Sequence, residues 1–168
     1  MKSFKSFLLS ALILGAFVTV SCAQKKASPP ASAEGTIDGV EIKVDYHQPS
    51  AKGRQIMNGL VPYGRVWRTG ANNATTISFS EDVKVEGKEL AAGTYALFTI
   101  PNEKEWVVIF NKTADQWGSS NYKEADDALR VNVKPVKTDM VETFTITIEE
   151  DGVSMAWEKT SVKFSISK

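Results

Sequence analysis

The feature that most constrains this chain is a period-two alternation of apolar side chains, repeated in short runs along its length. Ile42-Val44-Tyr46, Ile77-Phe79, Val83-Val85, Phe144-Ile146-Ile148, Val153-Met155-Trp157 and Val162-Phe164-Ile166 each place their apolar members on one side of an extended backbone, because successive side chains of a strand point to opposite faces. Such segments are half-buried strands, with one face toward a core and the other toward water. Gly93 to Pro101 and Glu105 to Asn111 are denser, reading G-T-Y-A-L-F-T-I-P and E-W-V-V-I-F-N. They predict a hairpin at the sheet centre with both faces covered. Turn residues separate the runs at Glu86-Gly87-Lys88, Ala92-Gly93, Pro101-Asn102 and Asp151-Gly152, the last pair suiting a two-residue hairpin turn. About eight or nine strands linked mostly by tight turns give an all-β fold, an antiparallel β-sandwich or jelly roll. One short helical turn is expected near Tyr122 to Ala128.

The N-terminus has a different character. Lys2 and Lys5 precede an apolar run from Phe7 to Val20, which ends in Val20-Ser21-Cys22. This is the tripartite layout of a secretory signal, and the run is short of the ~20 residues a membrane-spanning helix needs. Cys22, the only cysteine, follows a small residue as in the lipobox of bacterial lipoproteins, although Thr19 and Val20 replace the commoner residues there. Residues 1–21 are therefore expected to be a lipoprotein signal peptide and Cys22 the lipidation site. The small, polar, Pro-containing stretch up to Gly35 is expected to be a flexible tether, and residues 36–168 a single β-sandwich domain. With Cys22 acylated, the domain would hold no disulfide and no thiolate site. Lys25-Lys26 after the cysteine favours a periplasm-facing anchor, expected on the outer membrane. Acidic and basic residues balance at 20 each, with no clustered basic face of the kind that binds nucleic acid.

Two segments lack strand periodicity, His47 to Ala74 and Asn111 to Lys123. Long irregular connections inside a compact domain are often functional or packed. The first contains P-Y-G-R-V-W-R-T-G-A-N-N-A-T-T, and three of the four arginines, Arg54, Arg65 and Arg68, fall within or just before it. Arginine presents a planar fork that binds carboxylate or phosphate and stacks on rings. With Trp67, Asn72 and Asn73 alongside, the segment suits a small polar or anionic ligand. The alternative is that Arg68 pairs with a carboxylate at the core edge, Trp67 fills one end of the sandwich and the amides satisfy loop backbone. The second segment brings Trp117 and Tyr122 together with Asp115, Gln116 and a glycine. That mix suits sugar rings and equally a loop pinned by aromatic anchors. His47 is the only histidine, and without further metal-ligand spacing no metal site is expected. There is no glycine-rich phosphate loop and no cofactor signature.

The segments Lys52-Gly53-Arg54, L-V-P-Y-G-R-V-W-R-T-G-A-N (Leu60 to Asn72), Ala74-Thr75-Thr76, A-G-T-Y (Ala92 to Tyr95), F-T-I-P (Phe98 to Pro101) and W-V-V-I-F-N-K (Trp106 to Lys112) resemble the bacterial family numbered 2911 among domains of unknown function. The resemblance covers nearly all of Thr36 to Lys168. It implies an exported or lipid-anchored protein typical of the Bacteroidetes group, and it supplies no activity, substrate or catalytic residue. Relatives are expected to carry an acid after W-R-T-G-A-N, where this chain has Asn73.

The expectation is thus an envelope lipoprotein that binds a small polar or anionic ligand, or an envelope protein, through loops Arg54 to Asn73 and Asn111 to Tyr122, converging at one end of the sandwich. The ligand-binding candidates are Arg54, Arg65, Trp67, Arg68, Asn72, Asn73, Trp117 and Tyr122. Two other classes stay open. One is a structural or adaptor lipoprotein without a small-molecule site. The other is a hydrolase of envelope glycans or peptides, which would need His47, Asp45 or Asp115 in a cleft.

Overall fold

A computed structural model describes residues 28–168; the expected signal segment, Cys22 and the start of the tether lie outside the described residues. The described residues form ten strands: β1 (Pro30–Ile37), β2 (Val40–His47), β3 (Thr75–Phe79), β4 (Val83–Val85), β5 (Lys88–Leu90), β6 (Gly93–Ile100), β7 (Trp106–Asn111), β8 (Asp127–Val133), β9 (Val136–Glu149) and β10 (Gly152–Ser167). They assemble into a six-stranded sheet, β1-β2-β3-β6-β7-β8, and a four-stranded sheet, β5-β4-β10-β9, with antiparallel pairing throughout. The fold is the antiparallel sandwich that the alternation predicts. The one helical element among the described residues is a 3-10 turn at Glu124–Asp126, inside the expected window.

One apolar core lies between the sheets. Ile42, Val44, Ile77, Leu97, Val108 and Phe110 of the large sheet meet Phe144, Met155, Trp157, Val162 and Phe164 of the small one. Burying each such side chain contributes roughly 1.5–3 kcal/mol. A second, smaller cluster covers the outer face of the central hairpin: Ala96, Phe98 and Ile109 pack with Ala74, Val66, Ile100 and Tyr122. This explains why β6 and β7 read as continuous apolar runs. Their outer face is roofed by the two irregular segments rather than by water.

The expected boundary at Thr36 is corrected by β1. Pro30 to Gly35, read as tether, pairs residue by residue with β2 from Pro30↔His47 to Ile37↔Val40. Its composition misleads because packing demands small residues there. Ala31 and Ala33 lie against the core, and a Cβ on Gly35 would stand 2.7 Å from Ile148 Cγ2. Pro30 is tolerated as the first residue of an edge strand. The count of eight or nine strands likewise rises to ten, because β1, β5 and β8 carry too few alternating apolar residues to register as strands. The runs Val153 to Trp157 and Val162 to Ile166 fall in one element, β10. Its register against β9 breaks around Glu158, which has φ 55°. The ends of β10 lie side by side, since Ile166 N–H donates to Asp151 O and a Cβ on Gly152 would meet Phe164 O at 2.2 Å.

A chain beginning at Thr36 should therefore unfold at a clearly lower urea concentration than one beginning at Ser28, because it loses a strand and bares the edge of β2. Superimposable unfolding curves would show that β1 contributes nothing to stability.

Candidate functional site

The irregular segment after β2 is fixed from inside. Ala51, Ile56, Met57 and Val61 are buried, and Met57 and Val61 form an isolated bridge. The chain then runs beside β6 in line with β3. Gly64 N–H donates to Pro101 O at 2.9 Å, and Trp67 exchanges both backbone bonds with Thr99, at 2.7 and 2.9 Å. Extended backbone alternates its side chains, so Val66 joins the outer cluster while Trp67 enters the core. There its indole stacks on Trp157 with centroids 5.9 Å apart and meets Phe144 edge-on at 5.2 Å.

Beyond Arg68 the backbone is held in unusual conformations. Thr69, wholly buried, has φ 54°, Gly70 φ 155° and Asn72 φ 60°. Thr75 Oγ1 donates to Thr69 O at 2.6 Å, and Trp67 Nε1 donates to Gly70 O at 3.1 Å. A Cβ on Gly70 would crowd Thr75 Oγ1 at 3.0 Å and His47 O at 3.1 Å, so glycine is required there. A left-handed conformation at a β-branched threonine is costly and persists because these bonds enforce it. The turn in turn receives the second irregular segment: Ala74 N–H donates to Gln116 O, Gly118 N–H donates to Asn72 O, and Asn73 bridges Trp117. The two loops pair with one another at one end of the sandwich.

Between them opens a pocket of about 570 Å³ whose lining includes Lys52, Arg54, Arg65 and Arg68 together with Trp67, Leu60 and Ser119. None of the residues lining it is acidic. Two carboxylates stand nearby, each engaged with loop backbone: Glu142 accepts Lys52 N–H and Glu158 accepts Ile56 N–H. Arg54 Nε and Nη2 donate to Ala51 O and Ser50 O, shaping the rim. Arg68 is different. Its Nε is buried and has no hydrogen-bond partner, burial pushes its guanidinium pKa down, and no carboxylate pairs with it among the described residues. Gly118, which has φ 65°, lies alongside: a Cβ there would sit 3.7 Å from Arg68 Nη1, an ordinary contact.

Of the residues singled out in the sequence, Arg54, Arg65, Trp67 and Arg68 share this pocket. Asn72 stands beside it, its Nδ2 donating to Ser28 O at 3.4 Å. Asn73 lines a separate cleft on the outer face of β1, β2 and β3. Trp117 is 60 % exposed. Tyr122 lies under the second loop: its ring meets Phe98 edge-on, and its hydroxyl donates to Asp127 Oδ2 at 2.7 Å while accepting from Arg130. Lys52 completes the basic lining without having been singled out for it, though the K-G-R string placed a cation two residues before Arg54. Among the described residues no helix is long and apolar enough to cross a membrane, and no group of His, Cys, Asp and Glu side chains is arranged to hold a metal.

Fold and site together define a ten-stranded antiparallel sandwich with a basic pocket at one end. The family described as "Protein of unknown function (DUF2911)" matches residues 28–166, and the chain belongs to it. No curated protein and no solved structure matches the chain.

The Tyr122 phenol is pushed up from 10.0 to about 12, first by burial and then by its hydrogen bond to Asp127. A folded-state value above the unfolded one gives stability that is complete below about pH 10 and is lost as the pH rises toward 12. Tyr122→Phe should flatten this alkaline loss in denaturation curves and cost about 1.5–3 kcal/mol at neutral pH through the lost bond to a charged partner. An unchanged alkaline slope would assign the loss to other groups.

Proposed function

We propose that this protein is an anion-binding module of the bacterial envelope, lipid-anchored through Cys22, which takes a small carboxylate- or phosphate-bearing ligand in the basic pocket. The carrying observation is Arg68: a partly desolvated guanidinium whose buried Nε has no partner, in a pocket lined by three more cations and no acid. Withdrawing a charge from water without compensation is unfavourable. A bound anion reverses this by giving the guanidinium fork charge-assisted hydrogen bonds. Arg65 and Lys52, both exposed, raise the local potential for an incoming anion, while Leu60 and Trp67 supply apolar wall for the rest of the ligand. The anchor rests on the Ser21-Cys22 junction after the apolar run. An anchor on the periplasmic face of the outer membrane is part of the same reading.

A thermal-shift series with orthophosphate, citrate and uncharged sugars tests the pocket. At a hundred times its dissociation constant a bound anion adds about 2.7 kcal/mol, a rise in Tm of roughly 6–14 °C for a domain of this size. Arg68→Met should lose that rise. The variant itself should be as stable as the parent or slightly more so, because the apolar stem is kept and an uncompensated charge is removed. A loss of several kcal/mol in Arg68→Met, or no response to any anion, would overturn the reading. For the anchor, Cys22→Ser should shift the protein from the membrane to the soluble envelope fraction and abolish acyl labelling; unchanged membrane association would exclude lipidation at this residue.

A further inference from the structure

The outer face of β1, β2 and β3 carries a second cavity, of about 680 Å³, roofed by the loop after β7. Its lining is the opposite of the basic pocket in chemistry. Asp45 and His47 project outward from β2, Asp115 and Gln116 come from the loop, and Ser32, Asn73 and Thr76 provide hydroxyl and amide groups, with no lysine or arginine among the lining residues. The nearest described cation on the strand is Lys43. It stands 3.7 Å from Asp45 but is held more closely by Glu34, at 3.1 Å, so Asp45 is only loosely paired. Asp115 is exposed, with no ion pair among the described residues.

The second observation is independent of these carboxylates. Gln116 is only 7 % exposed. Its Nε2 is engaged, donating to Asn111 Oδ1 at 3.3 Å and to Thr113 O at 2.6 Å. Its Oε1 is buried and accepts no hydrogen bond among the described residues. A buried acceptor without a donor is unfavourable by about 1–3 kcal/mol, and that cost is recovered when a donor reaches it. Two carboxylates and an unfilled carbonyl, ringed by hydroxyl and amide groups, make a surface rich in acceptors and short of positive charge.

We propose that this cleft is a second binding site, for an amine-bearing polyol: the ammonium group is met by Asp45, Asp115 and the Gln116 carbonyl, and the hydroxyls by Ser32, Asn73 and Thr76. The site does not depend on the basic pocket.

Glucosamine and N-acetylglucosamine form the matched test, since acetylation removes the charge and keeps the ring. Each is titrated into the isotope-labelled full chain while backbone amide signals are followed. Glucosamine should give saturable shifts at Asp45, His47, Asn73 and Asp115, and N-acetylglucosamine should bind at least about tenfold more weakly, or 1.4 kcal/mol. Asp115→Asn and Asp45→Asn, both at exposed positions that leave the core untouched, should each weaken glucosamine comparably. Arg68→Met should leave it unchanged. Shifts absent or unsaturable, shifts centred on the basic pocket, equal binding of the two sugars, or full affinity in both aspartate variants would each overturn the proposal.

Discussion

The molecule depends on how Trp67 is inserted. Its backbone exchanges two hydrogen bonds with Thr99, and its indole closes an aromatic group with Phe144, Trp157 and Trp106 between the two sheets. These bonds convert an otherwise irregular segment into a continuation of the large sheet. Their direction also fixes the neighbours, because a residue drawn inward leaves those on either side outward. Val66 is thereby committed to the outer cluster and Arg68 to the loop side. Aromatic pairs of this kind contribute about 0.5–1.5 kcal/mol beyond area burial, but their larger effect here is positional. The guanidinium is placed by a residue that never leaves the core.

The strained turn that follows extends the same logic. Thr69, Gly70 and Asn72 all have positive φ, and the turn is held by the Thr75 hydroxyl, the Trp67 indole and the loop residues Gln116 to Gly118. The result is a ridge with a basic pocket on one flank and an acidic cleft on the other: Gly70 and Ala71 line the first, Asn73 and Ala74 the second. The wall between opposite chemistries is only a few residues thick.

Legibility in the sequence followed the size of the side chains that do the packing. Strands built on Val, Ile and Phe, such as β2, β3 and β6, were readable because alternating bulk is a direct record of one buried face. Strand β1 was not, because Ala31, Ala33 and Gly35 are small for the sake of close approach to the small sheet, and small residues are what a linker also uses. Strand β8 was obscured by Asp127 and Arg130, whose charges serve a local network with Tyr122. For the pocket, the arginine cluster was visible as composition. The direction each arginine takes was not: Arg54 bonds loop carbonyls, while the buried Arg68 Nε finds no hydrogen-bond partner among the described residues. The outer cleft was less legible still. Asp115 is far in the chain from Asp45 and His47, and the pairing of residues 72–74 with residues 116–118 brings the loop over β2.

The N-terminal end of β1 adds a mechanical consequence. Ser28 lines the basic pocket and Pro30 the acidic cleft, with Ser28 O bonded to Asn72 and Pro29 O to Gln48 N–H. Tension reaching Ser28 along the chain is therefore carried first by these two bonds, next to residues that line the two cavities. A pull on this end of the domain would load the bonds to Asn72 and Gln48 before it reached the core, so force and the shape of the two cavity rims meet at Ser28 and Pro30.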